Sequence, residues 1–170
     1  MHLLLTSPRT LAWEGETLAC AIGPAGVRRR KVEGDQATPA GRFPLRRVLY
    51  RPDRIADLET RLPAAPLREG LGWCDDPRDP AYNSMVALPY EARCEKLWRP
   101  DHLYDVIVVV GFNDDPPRPG RGSAIFLHLA HDDFRPTQGC VALGESDLRR
   151  VLRTATRETH LVVPDTLATD

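Results

Sequence analysis

No run of apolar side chains exceeds a handful of residues, far below the ~20 that a membrane-spanning helix needs. Charge of one sign is also missing. Lys and Arg total 23 against 24 Asp and Glu, so no global field draws the chain to nucleic acid or to a membrane surface. Neither partner is expected. There are no internal repeats, no low-complexity segments and no Gly-rich loop that would cradle a phosphate. Glycines number 12 against 16 prolines, which favours turns and edge segments over long helices. At the N-terminus Leu3-Leu4-Leu5 is too short for a secretory core and no cationic run precedes it. It reads as a first strand, and a cytoplasmic protein is the expectation. A periplasmic one, its signal removed, is the alternative.

What is present fits an ordinary globular chain. At 170 residues, 42% hydrophobic and 28% charged, it suits one domain with a real core, expected as a monomer without a cofactor. The cysteines are Cys20, Cys74, Cys94 and Cys140. Four would allow two disulfides in an oxidising compartment, but a free Cys140 leaves an odd three, which suits a reducing one.

Short apolar runs punctuated by turns predict a mainly antiparallel β domain with one or two helices. His2 to Thr6 and Thr17 to Ile22 read as strands. Gly23-Pro24-Ala25-Gly26 is a turn signal, and Val27 to Val32 could return as a hairpin partner. Residues 33 to 41 form a polar loop. Arg42 to Tyr50 follows as a strand that Pro44 assigns to an edge. Residues 51 to 104 carry seven prolines and read as a long irregular insertion packed on the main body. Val106 to Val110 predicts a central strand buried on both faces. Ser123 to Leu129 and Cys140 to Leu143 are further strands. Leu148, Val151, Leu152 and Ala155 mark one face of a helix with Ser146 as its N-cap. Leu161 to Val163 closes as a strand.

The residues that can carry chemistry lie near the C-terminal third. Strand alternation puts Ala124, Phe126 and His128 on one face, with the imidazole at the strand's end. Twelve residues on, Gly139-Cys140 offers a thiol beside a glycine that permits close backbone approach or an unusual turn. A neighbouring imidazole shifts a thiol towards its reactive thiolate and can then protonate a departing amine. His131 competes with His128. Asp132, Asp133 or a backbone carbonyl near Leu129 could orient the base. Spacing alone leaves open a structural histidine and a buried, inert cysteine. It also leaves a zinc site of His128, His131 and Cys140, which the opposite faces of strand positions three apart weigh against. No metal is expected. Arg99 and Arg135 are candidates for binding carboxylates, Trp73 and Trp98 read as packing anchors, Asn113-Asp114-Asp115 as a turn, and Cys20 as core.

Two motifs sharpen this. Phe126-Leu127-His128 followed by Thr137-Gln138-Gly139-Cys140-Val141 resembles the signature of the L,D-transpeptidase catalytic domain, the YkuD family. The segment Lys31 to Pro44, with Thr38-Pro39-Ala40-Gly41-Arg42-Phe43, is similar to that family's Thr-Pro-x-Gly-x-Phe loop. Together they cover about a fifth of the chain. Trp73-Cys74-Asp75-Asp76, Leu97-Trp98-Arg99 and Asn113-Asp114-Asp115-Pro116 resemble segments of one branch of the family.

The resemblance implies an antiparallel β-sandwich or barrel and a cysteine acyl-transfer enzyme acting on a peptidoglycan stem peptide or muropeptide. Cys140 would attack the carbonyl of the third stem residue, usually a diamino acid, and expel the terminal D-alanine. His128 would serve as base, with N–H groups of Gly139 and Cys140 for the oxyanion. Thr137, Gln138, His131, Arg135 and Arg99 would contact substrate. Carbapenem-type β-lactams would acylate Cys140. Many members have His or Arg where Gln138 stands and Arg or Asn where Ala142 stands, and the His-to-Cys loop is short. These departures favour water as acceptor, and so an L,D-carboxypeptidase that trims recycled muropeptides. The alternatives are a periplasmic cross-linking L,D-transpeptidase and a non-catalytic peptidoglycan-binding module on the same fold.

Overall fold

A computed structural model describes all of residues 1–170. The strands are β1 (His2–Ser7), β2 (Thr10–Trp13), β3 (Glu16–Ala21), β4 (Val27–Arg28), β5 (Thr38–Pro39), β6 (Gly41–Tyr50), β7 (Ala64–Pro66), β8 (Leu71–Cys74), β9 (Met85–Ala87), β10 (Cys94–Lys96), β11 (Val106–Val110), β12 (Phe126–Leu129), β13 (Val141–Leu143) and β14 (His160–Val163). One helix, α1 (Glu145–Thr154), precedes β14, and a short 3-10 turn at Asp165–Leu167 follows it.

The main sheet runs β11-β12-β13-β3-β2-β1-β14-β6, and β6 pairs back onto β11. It therefore closes on itself as a barrel and leaves no open edge in that ring. Most pairs are antiparallel, but β1–β14 and β12–β13 are parallel. Alternation along β12 and β13 divides the side chains into two layers. Leu127, Leu129, Val141 and Leu143 join the large inner core, together with Leu148, Val151 and Leu152 of α1. Each such apolar side chain, fully buried, stabilises by roughly 1.5–3 kcal/mol. Phe126 and Cys140 point the other way, into a second cluster shared with Trp73, Leu97, Leu103 and Tyr104. This outer cluster lies under a separate three-stranded sheet, β10-β8-β9.

Several expectations hold. β11 is buried along its whole length, the apolar face of α1 faces the core, and Cys20 is core. Trp73 is an anchor, edge-on to Phe126 at 5.1 Å, and Trp98 carries the Arg51 guanidinium 3.6 Å from its ring centroid.

Others are corrected. β6 is not an edge strand. It lies between β14 and β11, and Pro44 sits where its partner changes from one to the other. The missing N–H is absorbed there, since the Pro44 carbonyl accepts Gly111 N–H at 2.8 Å and the ladder skips a residue at Val109/Val110. Residues 51 to 104 are largely turns and loops, but they are not wholly irregular, because they contain the short strands β7 through β10. β4 does not form a hairpin with β3 but pairs in parallel with β5, inside the expected loop. α1 begins at Glu145 with Gly144 as its cap, so Ser146 lies within the first turn.

One side chain ties the three-stranded sheet to the barrel. Asn83 is buried, and its Oδ1 accepts Trp73 Nε1–H at 2.9 Å and Ala124 N–H at 3.0 Å. Its Nδ2 donates to the carbonyls of Phe112 and Asn113. All four of its hydrogen-bonding positions are used. Asn83→Ala strands two buried donors and is expected to cost about 3 kcal/mol or more, read as a lower urea midpoint at unchanged slope.

Candidate active site

Parallel pairing of β12 with β13 brings the two sequence candidates together. Register sets Leu127 against Val141 and His128 against Ala142, so Cys140 falls beside Phe126. Thiol and imidazole are thus diagonal neighbours on the outer face of the barrel, at the floor of one cleft of about 520 Å³. Cys140 is 7% exposed and His128 6%.

The thiol is held by the backbone of the segment leading into β12. Its Sγ–H donates to Ala124 O at 3.1 Å, and Phe126 N–H donates to the sulfur at 3.4 Å. Burial pushes the Cys140 thiol up to about 12, with Glu95 adding to the shift. The imidazole behaves in the complementary way. Burial lowers His128 to about 4, although the Leu129 carbonyl works against this. The expectation that the imidazole would draw the thiol towards thiolate is therefore reversed. Desolvation is the largest influence on each group and favours the neutral form of both.

His128 Nδ1 lies 2.8 Å from Leu129 O, so Nδ1 carries the proton and Nε2 keeps its lone pair. That backbone carbonyl is the third partner; Asp132 and Asp133 are exposed on the loop. Tyr104 stacks edge-on to the imidazole at 5.2 Å and fixes its plane from the other side.

The turn before Cys140 is built by both motifs. Gly139 has φ +121°, and a Cβ there would come within 2.6 Å of Ala37 O, so no other residue fits. Thr38 is fully buried, and its hydroxyl donates to Gly139 O at 2.9 Å while accepting Gly23 N–H. The Thr-Pro loop is thus a buttress for the Gly-Cys turn. Thr137 lines the cleft and also builds this turn. Its hydroxyl accepts Gly139 N–H and donates to Cys140 O, so it closes the turn and has no proton left to give a substrate. The same bond commits the Gly139 N–H, one of the two amides expected for the oxyanion.

The remaining sequence candidates line the cleft but differ in availability. Arg99 forms a two-pronged pair with Asp101 (2.9 and 2.7 Å), which spends its fork. Arg135 Nη2 is 2.9 Å from His131 Nδ1. Gln138 is exposed at the rim. No group of three or more His, Cys, Asp or Glu is placed to hold a metal ion.

Sequence reasoning missed Glu33 and Glu95. Glu33 accepts hydrogen bonds from the hydroxyls of Tyr82 and Ser123, and Glu95 Oε1 accepts Tyr104 O–H at 2.5 Å. Their partners are neutral. The other cleft charges Lys31 and Arg93 pair with Asp35 and Asp75. Only Glu33, lying in the recognised loop, had a signal pointing to the site.

Among known families, residues 4–163 match the model of YkuD, the L,D-transpeptidase catalytic domain. Neither the curated proteins nor the solved structures include a match to the chain.

The neutral imidazole has a consequence for stability. The folded value of about 4 lies below the ordinary 6.5, so between these pH values the unfolded chain holds the extra proton. The contribution of the buried ring is full above pH 6.5 and is lost as pH falls towards 4. Wild type should lose about 2 kcal/mol from this source between pH 7 and pH 5, measured by urea unfolding, and His128→Gln should lack that part of the slope.

Proposed function

The chain belongs to the L,D-transpeptidase catalytic-domain family, a family of cysteine-dependent acyl transfer on peptidoglycan peptides, and from that premise we propose that it is an L,D-carboxypeptidase. It removes the terminal D-alanine of a tetrapeptide stem and hands the remaining acyl group to water. Cys140 is the nucleophile and His128 the general base.

The steps follow from the neutral pair. A stem peptide fills the cleft, and the Cys140 thiol turns from Ala124 O towards His128 Nε2. The imidazole takes the thiol proton as Sγ attacks the carbonyl of the third residue. A proton transferred during attack avoids a free thiolate, which burial makes unfavourable. Cys140 N–H has no partner within the chain and stabilises the developing oxyanion. The imidazolium protonates the departing amine and D-alanine leaves. Water, activated by the same Nε2, then attacks the thioester, releasing tripeptide and restoring the thiol.

The size of the cleft is the observation that carries water as acceptor. About 520 Å³ suits one peptide, and no residue of the cleft is shared with the other two sizeable pockets. Charge supports the donor's identity. Arg93, Arg99 and Lys31 are each matched to a carboxylate, whereas Glu33 and Glu95 have only neutral partners. The cleft is therefore suited to the ammonium of a diamino acid. Arg135, exposed at the mouth, would take the terminal carboxylate. The same reading makes the protein a cytoplasmic monomer that trims recycled muropeptides.

Incubation with a free or disaccharide-linked tetrapeptide is expected to yield tripeptide and D-alanine in equal amounts. Cys140→Ala should have no turnover, and His128→Gln should fall about 10²–10⁴-fold. Cross-linked dimers or D-amino-acid exchange as the main product would point to a transpeptidase. No turnover by wild type would leave a binding module, and turnover retained by Cys140→Ala would sink the cysteine mechanism.

A further inference from the structure

Two thiols outside the catalytic pair stand opposite each other. In the three-stranded sheet, β8 and β10 run antiparallel with Cys74 against Cys94. Asp75 N–H donates to Arg93 O, and Leu97 N–H to Leu71 O. Those hydrogen bonds mark 75–93 and 71–97 as hydrogen-bonded pairs, so the intervening Cys74–Cys94 position is non-hydrogen-bonded. At such positions Cα atoms lie about 4.5 Å apart and side chains approach closest. That separation lies within the ~4.4–6.8 Å span of a disulfide, so bridging needs little backbone movement. Both thiols are free, Cys74 buried and Cys94 partly exposed. Cys94 opens onto a surface pocket of about 560 Å³ bordered by Leu88, Pro89 and Trp98.

We propose that Cys74 and Cys94 are a redox site: they form a reversible disulfide across β8 and β10 when a small-molecule disulfide oxidant reaches Cys94. The Cys94 thiolate attacks one sulfur of the oxidant, such as glutathione disulfide, and expels one glutathione thiolate. The Cys74 thiolate then attacks Cys94 Sγ and expels the second glutathione at the mixed disulfide. Two protein thiols and one oxidant disulfide become one protein disulfide and two glutathione thiols, with two electrons passing to the oxidant.

Location gives the bond a consequence. Asp75 and Arg93, which flank the pair, and Glu95 all line the catalytic cleft, and Trp73 packs on Phe126 beside Cys140. The bridge therefore pins the wall of the cleft without touching the thiol that reacts there. Burial, with Cys74 adding to it, raises the Cys94 thiol to about 11, so little thiolate exists at neutral pH and exchange is slow. The remaining Cys20, in the inner core, has no role in the exchange.

The full chain is treated with excess glutathione disulfide at pH 8.5, unfolded with iodoacetamide present, digested and mapped by mass spectrometry. A Cys74–Cys94 peptide pair lacking two hydrogens is expected, with Cys20 and Cys140 alkylated. Oxidised wild type should melt about 5 °C or more above reduced, and Cys94→Ser should show no such difference. Reduction with dithiothreitol should return the lower melting point. A Cys94–glutathione adduct that never resolves onto Cys74, or alkylation of both residues after prolonged oxidation, overturns the proposal. Neither readout depends on peptidase activity, so the proposal stands or falls apart from the assigned function.

Discussion

The Cys140 thiol is fixed between two backbone groups of the segment that leads into β12: it donates to the Ala124 carbonyl and accepts the Phe126 N–H. Most features of the cleft serve that placement. Ala124 and Asn83 both have positive φ, and Asn83 holds the Ala124 amide. The three-stranded sheet supplies Asn83 and Trp73, so the outer layer is what makes the thiol's environment dry. Dryness in turn decides the chemistry. A thiolate would be poorly solvated here, and under the proposed mechanism a histidine that cannot charge easily keeps its lone pair for the proton that the thiol gives up during attack.

A second dependence runs through backbone and not through catalytic side chains. Gly23, Ala37, Thr38 and Gly139 meet where side chains have no room, and the Thr38 hydroxyl joins the first half of the chain to the turn that presents Cys140. Motifs far apart in sequence are thus one structural unit. The cost of that packing is a glycine at φ +121°, which a Cβ would convert into a clash.

The sequence was readable where one physical signal dominated. The run Val106 to Val110 needs burial on both faces and has it. The helical face of Leu148, Val151 and Leu152 needs an apolar partner and finds the barrel core. Cys140 and His128 were singled out by residue type and order, and parallel pairing of β12 with β13 brings them together. Legibility failed where strands are short and long-range. β8, β9 and β10 are three or four residues each and are separated by proline-containing loops, and their pairing depends on partners that no local window contains. Glu95 and Asn83 went unseen for the same reason, since they come from that segment. Thr10–Trp13 carries no such signal, because its pairing with β1 and β3 is made by two tight turns and not by a long apolar pattern. The turn-closing role of Thr137 is invisible in sequence because its two hydrogen bonds are to backbone groups of Gly139 and Cys140.

Under the proposed function, the buried neutral pair makes its nucleophile only when substrate is present. The acyl-enzyme and its fate test this most directly. Intact-protein mass spectrometry, time-resolved after mixing with tetrapeptide stem in the presence of a free D-amino acid, reads both at once. The account predicts a transient adduct of the tripeptide acyl group, confined by digestion to Cys140, that decays to free tripeptide whatever the concentration of D-amino acid. An adduct on another residue, or a decay that accelerates with D-amino acid and yields the exchanged tetrapeptide, would contradict it.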